Sequence, residues 1–165
     1  MKKKILIVCA FFAFTIFSAS ADIGLGAELG FESDVFYKPY SRGFVSATFR
    51  SNEIPWCFSV NFFPFDSQFV ANADNWVVNK TLSAPLRYFL FWGVSARLGF
   101  NKFAIAAGPR LGAGLDLFLL KKRQLELYWQ MSWNPYLGVE DRNGVSAMIR
   151  PFHFPIELGA RWWFR

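Results

Sequence analysis

The sequence predicts an all-β chain, with eight antiparallel strands closed up-and-down into a single barrel. Three observations carry this expectation. Beyond residue 21, apolar residues recur at every second position, the period of a strand rather than of a helix. The chain is 53% apolar and 20% aromatic, with a mean hydropathy of +0.21, yet its longest uncharged run past that point is Leu127 to Val139. That run is too short for a membrane helix, which needs about 20 residues. Finally, 165 residues form one domain, and the alternating segments within it number eight.

The first segment has a different character. Lys2, Lys3 and Lys4 precede an apolar stretch from Ile5 to Phe17, and Ala19-Ser20-Ala21 supplies the small-x-small site of a signal peptidase. The expected division is a signal peptide at 1–21, cleaved after Ala21, and a barrel domain at 22–165. Loss of the three lysines takes the formal charge from +6 to +3, leaving 15 basic against 12 acidic residues. No basic run longer than Lys121-Lys122-Arg123 follows, so no nucleic-acid partner is expected. Cys57 is then the one remaining cysteine, which excludes an internal disulfide and a cysteine-rich metal site.

The strands follow in order. Ile23, Leu25, Ala27, Leu29 and Phe31 alternate with Asp22, Gly24, Gly26, Glu28, Gly30 and Glu32. Val45, Ala47 and Phe49 oppose Arg42, Ser46, Thr48 and Arg50, with Phe44 on the polar side. Trp56, Phe58, Val60 and Phe62 oppose Cys57, Ser59 and Asn61. In the fourth segment Trp76, Val78, Leu82, Leu86 and Tyr88 oppose Asn79, Thr81, Ser83 and Arg87, with Lys80 on the apolar side. Val94, Ala96, Leu98 and Phe100 oppose Ser95, Arg97 and Gly99. Phe103, Ile105, Ala107, Leu111, Ala113 and Leu115 oppose Ala104, Ala106, Gly108, Arg110, Gly112, Gly114 and Asp116. The seventh segment sets Leu125, Leu127, Trp129, Met131 and Trp133 against Gln124, Glu126, Tyr128, Gln130, Ser132 and Asn134. The eighth sets Phe152, Phe154, Ile156, Leu158, Ala160, Trp162 and Phe164 against His153, Glu157, Gly159, Arg161 and Trp163.

Connections are expected near 33–41, 66–75, 101–102 and 134–150 at one end, and near 51–55, 89–92 and 118–123 at the other. Pro64, Pro85, Pro109 and Pro155 lack an amide donor and are expected at bulges or strand ends.

Which face is wet follows from the kind of polar residue. A solvated outer face carries Lys, Glu, Asp and Gln, whereas this polar face is rich in Gly, Ala and Ser. Its basic residues are Arg42, Arg50, Arg87, Arg97, Arg110 and Arg161, with no lysine, and they meet Asp22, Glu28, Glu32, Asp116, Glu126 and Glu157. Enclosed charges are tolerable when paired, and the planar guanidinium suits such pairing better than an ammonium. The polar face therefore reads as the inside of a narrow barrel. Its expected charge network is Glu28, Arg50, Arg87, Arg97, Arg110, Asp116, Glu126, Glu157 and Arg161. The apolar face then reads as the lipid side of a transmembrane barrel, with Lys80 snorkelling at a membrane edge. A soluble sandwich with an aromatic core is the competing fold.

The chain ends Glu157-Leu158-Gly159-Ala160-Arg161-Trp162-Trp163-Phe164-Arg165. Gly159, Trp162 and Phe164 fit a polar-x-Gly-x-x-aromatic-x-aromatic pattern that resembles the C-terminal β-signal of outer-membrane barrels. With the signal peptide and eight strands, the mature chain resembles the small barrels of the OmpX, OmpA-transmembrane-domain and OmpW class. The resemblance implies an outer-membrane location in a diderm bacterium, with lipid and the barrel assembly machinery as partners. It also implies periplasmic termini, with the 33–41, 66–75, 101–102 and 134–150 connections facing outside.

Chemistry is sparse. The single histidine, His153, has Ser146, Asp141 and Asn143 upstream, which are the residue types of an activated serine. Its place on the inner face argues for an ordinary carboxylate partner instead. No phosphate-binding loop or metal-ligand spacing occurs, so neither an enzyme nor a cofactor is expected. Gly24, Gly26, Gly112 and Gly114 are expected to relieve crowding inside the barrel. The functional expectation is a membrane anchor, structural or surface-interaction protein with a charge-paired lumen. A narrow channel for small solutes of the OmpW kind, apolar ones included, is the alternative, and a lipid-modifying enzyme a remote one.

Overall fold

The computed structural model describes residues 22–34, 40–101, 103–141 and 144–164. The leader expected at 1–21, with Ala19 and Ala21, lies outside these residues, as do Lys102, Asn143 and Arg165. The strands are β1 (Ile23–Asp34), β2 (Tyr40–Ser51), β3 (Trp56–Phe63), β4 (Gln68–Ser83) and β5 (Leu86–Gly99). They continue as β6 (Ala104–Leu119), β7 (Leu125–Trp133), β8 (Tyr136–Asp141), β9 (Val145–Arg150) and β10 (His153–Phe164). Each pairs antiparallel with its sequence neighbour from β1 to β7. β10 joins β7 to β1, and the β5–β6 ladder closes the sheet.

The result is a closed eight-strand up-and-down barrel built from ten strand segments, because the last two staves are each broken once. β7 runs on into β8 past Asn134-Pro135, and both lie against β6 in continuous register. β9 runs on into β10 past Pro151-Phe152. The connection expected at 134–150 is thus mostly a β8–β9 hairpin. At its tip Gly144 takes φ +122°, a conformation open chiefly to glycine, and its amide donates to Asp141 Oδ1 at 3.1 Å.

Two expected connections are corrected. Residues 68–75 are strand, and the turn before them is the compact 64–67, closed by Asp66 N donating to Phe63 O. Residues 89–92 lie within β5, and the chain reverses at Ala84-Pro85 instead. The physical reason is a register shift between Trp76 and Val78 in β4. Before it, Val70, Asn72, Asp74 and Trp76 point inward; after it, Val78, Lys80 and Leu82 share the outer side. One extra residue flips the faces, so Trp76 is buried inside rather than on the apolar wall. Lys80 is exposed opposite Tyr88, near the hairpin tip.

All four prolines sit at interruptions. Pro64 and Pro85 are in turns, Pro109 marks where β6 changes partner from β7 to β8, and Pro155 lies just past the end of the β7–β10 pairing.

The inner face is filled by large rings laid over glycines on the next strand. Cross-strand partners pair Gly24 with Trp163, Gly30 with Phe44, Gly112 with Phe91, Gly114 with Phe89 and Gly159 with Tyr128, and a β-carbon on any of these glycines would overlap the opposing ring. A small barrel has room for such rings only where the neighbouring position carries no side chain. Gly114→Val would drive a side chain into Phe89 and the Trp129 carbonyl. We expect a loss of about 1–3 kcal/mol, read as a lower urea midpoint in refolding monitored by tryptophan fluorescence.

Candidate functional site

Among the described residues, charged side chains converge in the interior, where they form three tiers. At the end that carries the termini, Glu126 is fully buried. It accepts from Arg50 Nη1 at 3.0 Å and Trp163 Nε1 at 2.9 Å, and pairs with Arg161 Nη1 at 3.3 Å. The Arg50 guanidinium lies 3.7 Å over the Trp76 ring, which stacks on Phe89 at 3.7 Å and 7°. A desolvated cation–π contact of this kind contributes about 2 kcal/mol.

Arg161 dominates the middle tier. Its Nε donates to Thr48 Oγ1 at 3.0 Å, its Nη2 to Cys57 Sγ at 3.0 Å, and the guanidinium sits 3.8 Å over the Tyr128 ring. Glu28 lies 3.7 Å from it and receives the Tyr128 hydroxyl proton in a hydrogen bond. The same tier continues toward the opposite end, where Arg110 pairs with Asp74 at 3.2 Å and Glu157 at 3.3 Å, and Gln130 donates to Glu157. A polar strip runs beside these groups, with Ser46 donating to Asn61 and Asn72 donating to Ser59 and Asn61.

The tier at the opposite end centres on Glu32. Arg97 grips it through two hydrogen bonds of 3.0 and 2.7 Å, Arg42 Nε lies 2.5 Å away, and His153 Nε2 lies 2.9 Å away. Arg42 also reaches Asp66 at 2.8 Å, Arg97 reaches Gln68 at 3.0 Å, and Arg150 reaches Asp34 at 3.3 Å. Phe63 and Tyr136 present their rings to Arg97.

Six of the nine residues expected in the charge network thus meet in the two lower tiers: Glu28, Arg50, Arg110, Glu126, Glu157 and Arg161. Arg97 belongs to the separate Glu32 tier. Arg87 and Asp116 face each other across the β5–β6 ladder. The Asp116 carboxylate is buried but takes no hydrogen bond among the described residues, and Arg87 lies 5.6 Å from the Phe118 ring. The residues expected to form a C-terminal β-signal all lie on β10, with Gly159 inward against Tyr128 and Trp162 and Phe164 outward and exposed.

Asp34 and Asp74 carry two of the ion pairs and were expected in connections. The alternation Val70, Asn72, Asp74, Trp76 around small Ala71 and Ala73 is the signal that places Asp74 inside. His153 is fully buried against Glu32, with its ring edge on Tyr136 at 5.1 Å. Ser146 and Asp141 are exposed; Ser146 donates to the Glu140 carbonyl at 3.2 Å, and Asp141 receives the Gly144 amide. Among the described residues no group of three or more metal-ligating side chains occurs.

The outward face is the reverse of the interior. Leu29, Phe31, Val60, Val94, Leu98, Leu111, Leu115, Met131 and Leu158 all stand exposed on it. Among the described strand residues the outward charged side chains are Lys80 and Asp141, each within a few residues of a turn. No protein-family model matches the chain, and no curated protein matches it.

Proposed function

We propose that this chain is an integral outer-membrane barrel protein of the OmpX, OmpA-transmembrane-domain and OmpW kind, serving as a membrane anchor or surface-interaction protein rather than as a conduit or an enzyme. The observation that carries this reading is the inverted polarity of the barrel. Most of its charges are inside, the majority of them in ion pairs, while its exposed wall is Leu, Phe, Val, Ala and Trp. Water does not favour such a wall: large contiguous apolar surface on a soluble protein marks a binding or membrane face. In a bilayer the same wall is the required one, since a closed barrel satisfies every strand amide internally and shows lipid only side chains.

In this orientation the termini and the turns at 52–55, 84–85 and 120–124 face the periplasm, and the β8–β9 hairpin faces outside. Lys80 then sits where its ammonium reaches the periplasmic headgroups. Lipid and the assembly machinery are the partners of this reading, and no cofactor enters it. His153 is engaged with Glu32 and Ser146 with its own hairpin, an arrangement that supports a structural role for both.

In cells of a diderm host, the protein is expected to stay with the outer-membrane fraction through carbonate washing. It should also run faster on a gel unheated than boiled. Release as a soluble periplasmic protein would overturn the reading.

A further inference from the structure

Most of the outward wall is covered by bulky side chains, but a hollow of about 220 Å3 interrupts it where the last two staves break. Ala107, Pro109, Pro135, Leu137, Ile149 and Pro151 turn their side chains toward it, and Gly108, Tyr136 and Arg150 complete the lining. Its cause is readable in the chain. From Met131 to Tyr136 the seventh stave advances five positions, while its partner advances six, from Arg150 to Ile156. The extra residue makes a bulge, and the three prolines bring no amide hydrogen to close the ladder around it. Trp133 Nε1 donates to the Pro151 carbonyl at 2.7 Å and Asn134 N to the His153 carbonyl at 2.8 Å. These bonds hold the broken seam together without filling the outer side. Ala107 and the proline rings are too short to fill it, next to the exposed Leu111, Trp133 and Phe152.

We infer that this hollow is a binding site for one acyl chain of a membrane lipid, an inference that rests on the outward wall facing lipid. Those six side chains carry no hydrogen-bonding group; Gly108 has no side chain, and Tyr136 and Arg150 turn inward to His153 and Asp34, so an occupant is held by hydrocarbon. An unfilled hollow in a hydrocarbon medium forfeits dispersion contacts along its whole lining. Leu and Phe surfaces elsewhere on the wall meet lipid over convex side chains, whereas here three strands present a concave face to a single chain.

The test uses the full protein inserted into phosphatidylethanolamine and phosphatidylglycerol vesicles containing a trace phosphatidylcholine with a diazirine on one acyl chain. After irradiation, crosslinks are mapped by mass spectrometry. Label is expected to concentrate within 104–111 and 135–151. It should fall several-fold there in Ala107→Trp, whose indole fills the hollow, with label around Leu29 and Leu158 unchanged. Leu137→Trp serves as the second filler if Ala107→Trp fails the heat-modifiability check. Labelling spread evenly over the wall, or unaffected by either filler, overturns the site. A folded barrel that takes no label anywhere overturns the membrane reading itself, a different outcome from even labelling.

Discussion

Arg161→Met is expected to destabilise the barrel by about 3–5 kcal/mol, the cost of breaking a buried ion pair by removing one partner. Arg161 is fully buried and touches Glu28, Glu126, Thr48, Cys57 and Tyr128 at once. Methionine fills much of its volume, so lost packing is a minor part of the effect. What remains is Glu28 with only the Tyr128 hydroxyl among the contacts described above, while Glu126 keeps Arg50 and Trp163. The damage should therefore centre on Glu28. Adding Glu28→Gln to Arg161→Met removes the abandoned charge, and the pair should recover about 1–3 kcal/mol relative to the sum of the two single changes. Arg161→Lys keeps a charge but cannot serve Thr48, Cys57 and the Tyr128 face together, so it should fall between wild type and Met.

Urea midpoints of the refolded protein, followed by unheated gel mobility, give all of these values. Asp66→Asn is the control, since its partner Arg42 keeps Glu32 and the Asp66 side chain is 42% exposed. Such a pair contributes less than about 1 kcal/mol. An Arg161→Met protein within about 0.5 kcal/mol of wild type, the range of an ordinary surface change, would show that the interior charges do not hold the barrel.

The barrel and most of this interior were legible in the alternation alone, because period two assigns a face to each residue and face assigns environment. Arg110, Glu157 and Arg161 could be placed inside for that reason, and arginine without lysine on one face was itself the mark of enclosure. Legibility failed where the period broke. The shift at Val77 moved Trp76 from the apparent outer row to the inner one and hid Asp74, which sits two residues earlier in what looked like a connection. The breaks at Pro135 and Pro151 turned two staves into four strands and concealed the β8–β9 hairpin. Alternation also cannot choose partners across the lumen. Arg87 and Asp116 share a face and a ladder position without closing an ion pair, whereas Arg97 and Glu32 meet through two hydrogen bonds from β5 and β1, which are not neighbours in the sheet.

Refolded protein in planar bilayers is expected to show no large, stable ion channel, and removal of one paired group of charges should not open one. An eight-stranded barrel leaves an interior only wide enough for side chains, and here that space is closed in more than one place. Glu157 and Arg161 both point inward from β10, four residues apart, which is about 13 Å along the strand. Arg110, Asp74, Glu157 and Gln130 gather around the first, and Arg161, Glu28, Tyr128 and Glu126 around the second. Replacing Asp74, Arg110 and Glu157 together with serine removes a mutually paired set and admits water there. Permeating ions would still meet the groups around Arg161 and Glu126, where Tyr128 and Trp163 add two buried rings to the charges. The triple variant should therefore remain as silent as wild type. Conductance appearing only in the triple variant would mean that the Arg110 group is the sole seal. Large stable channels in the wild type would refute a filled lumen and favour a narrow solute path through the barrel.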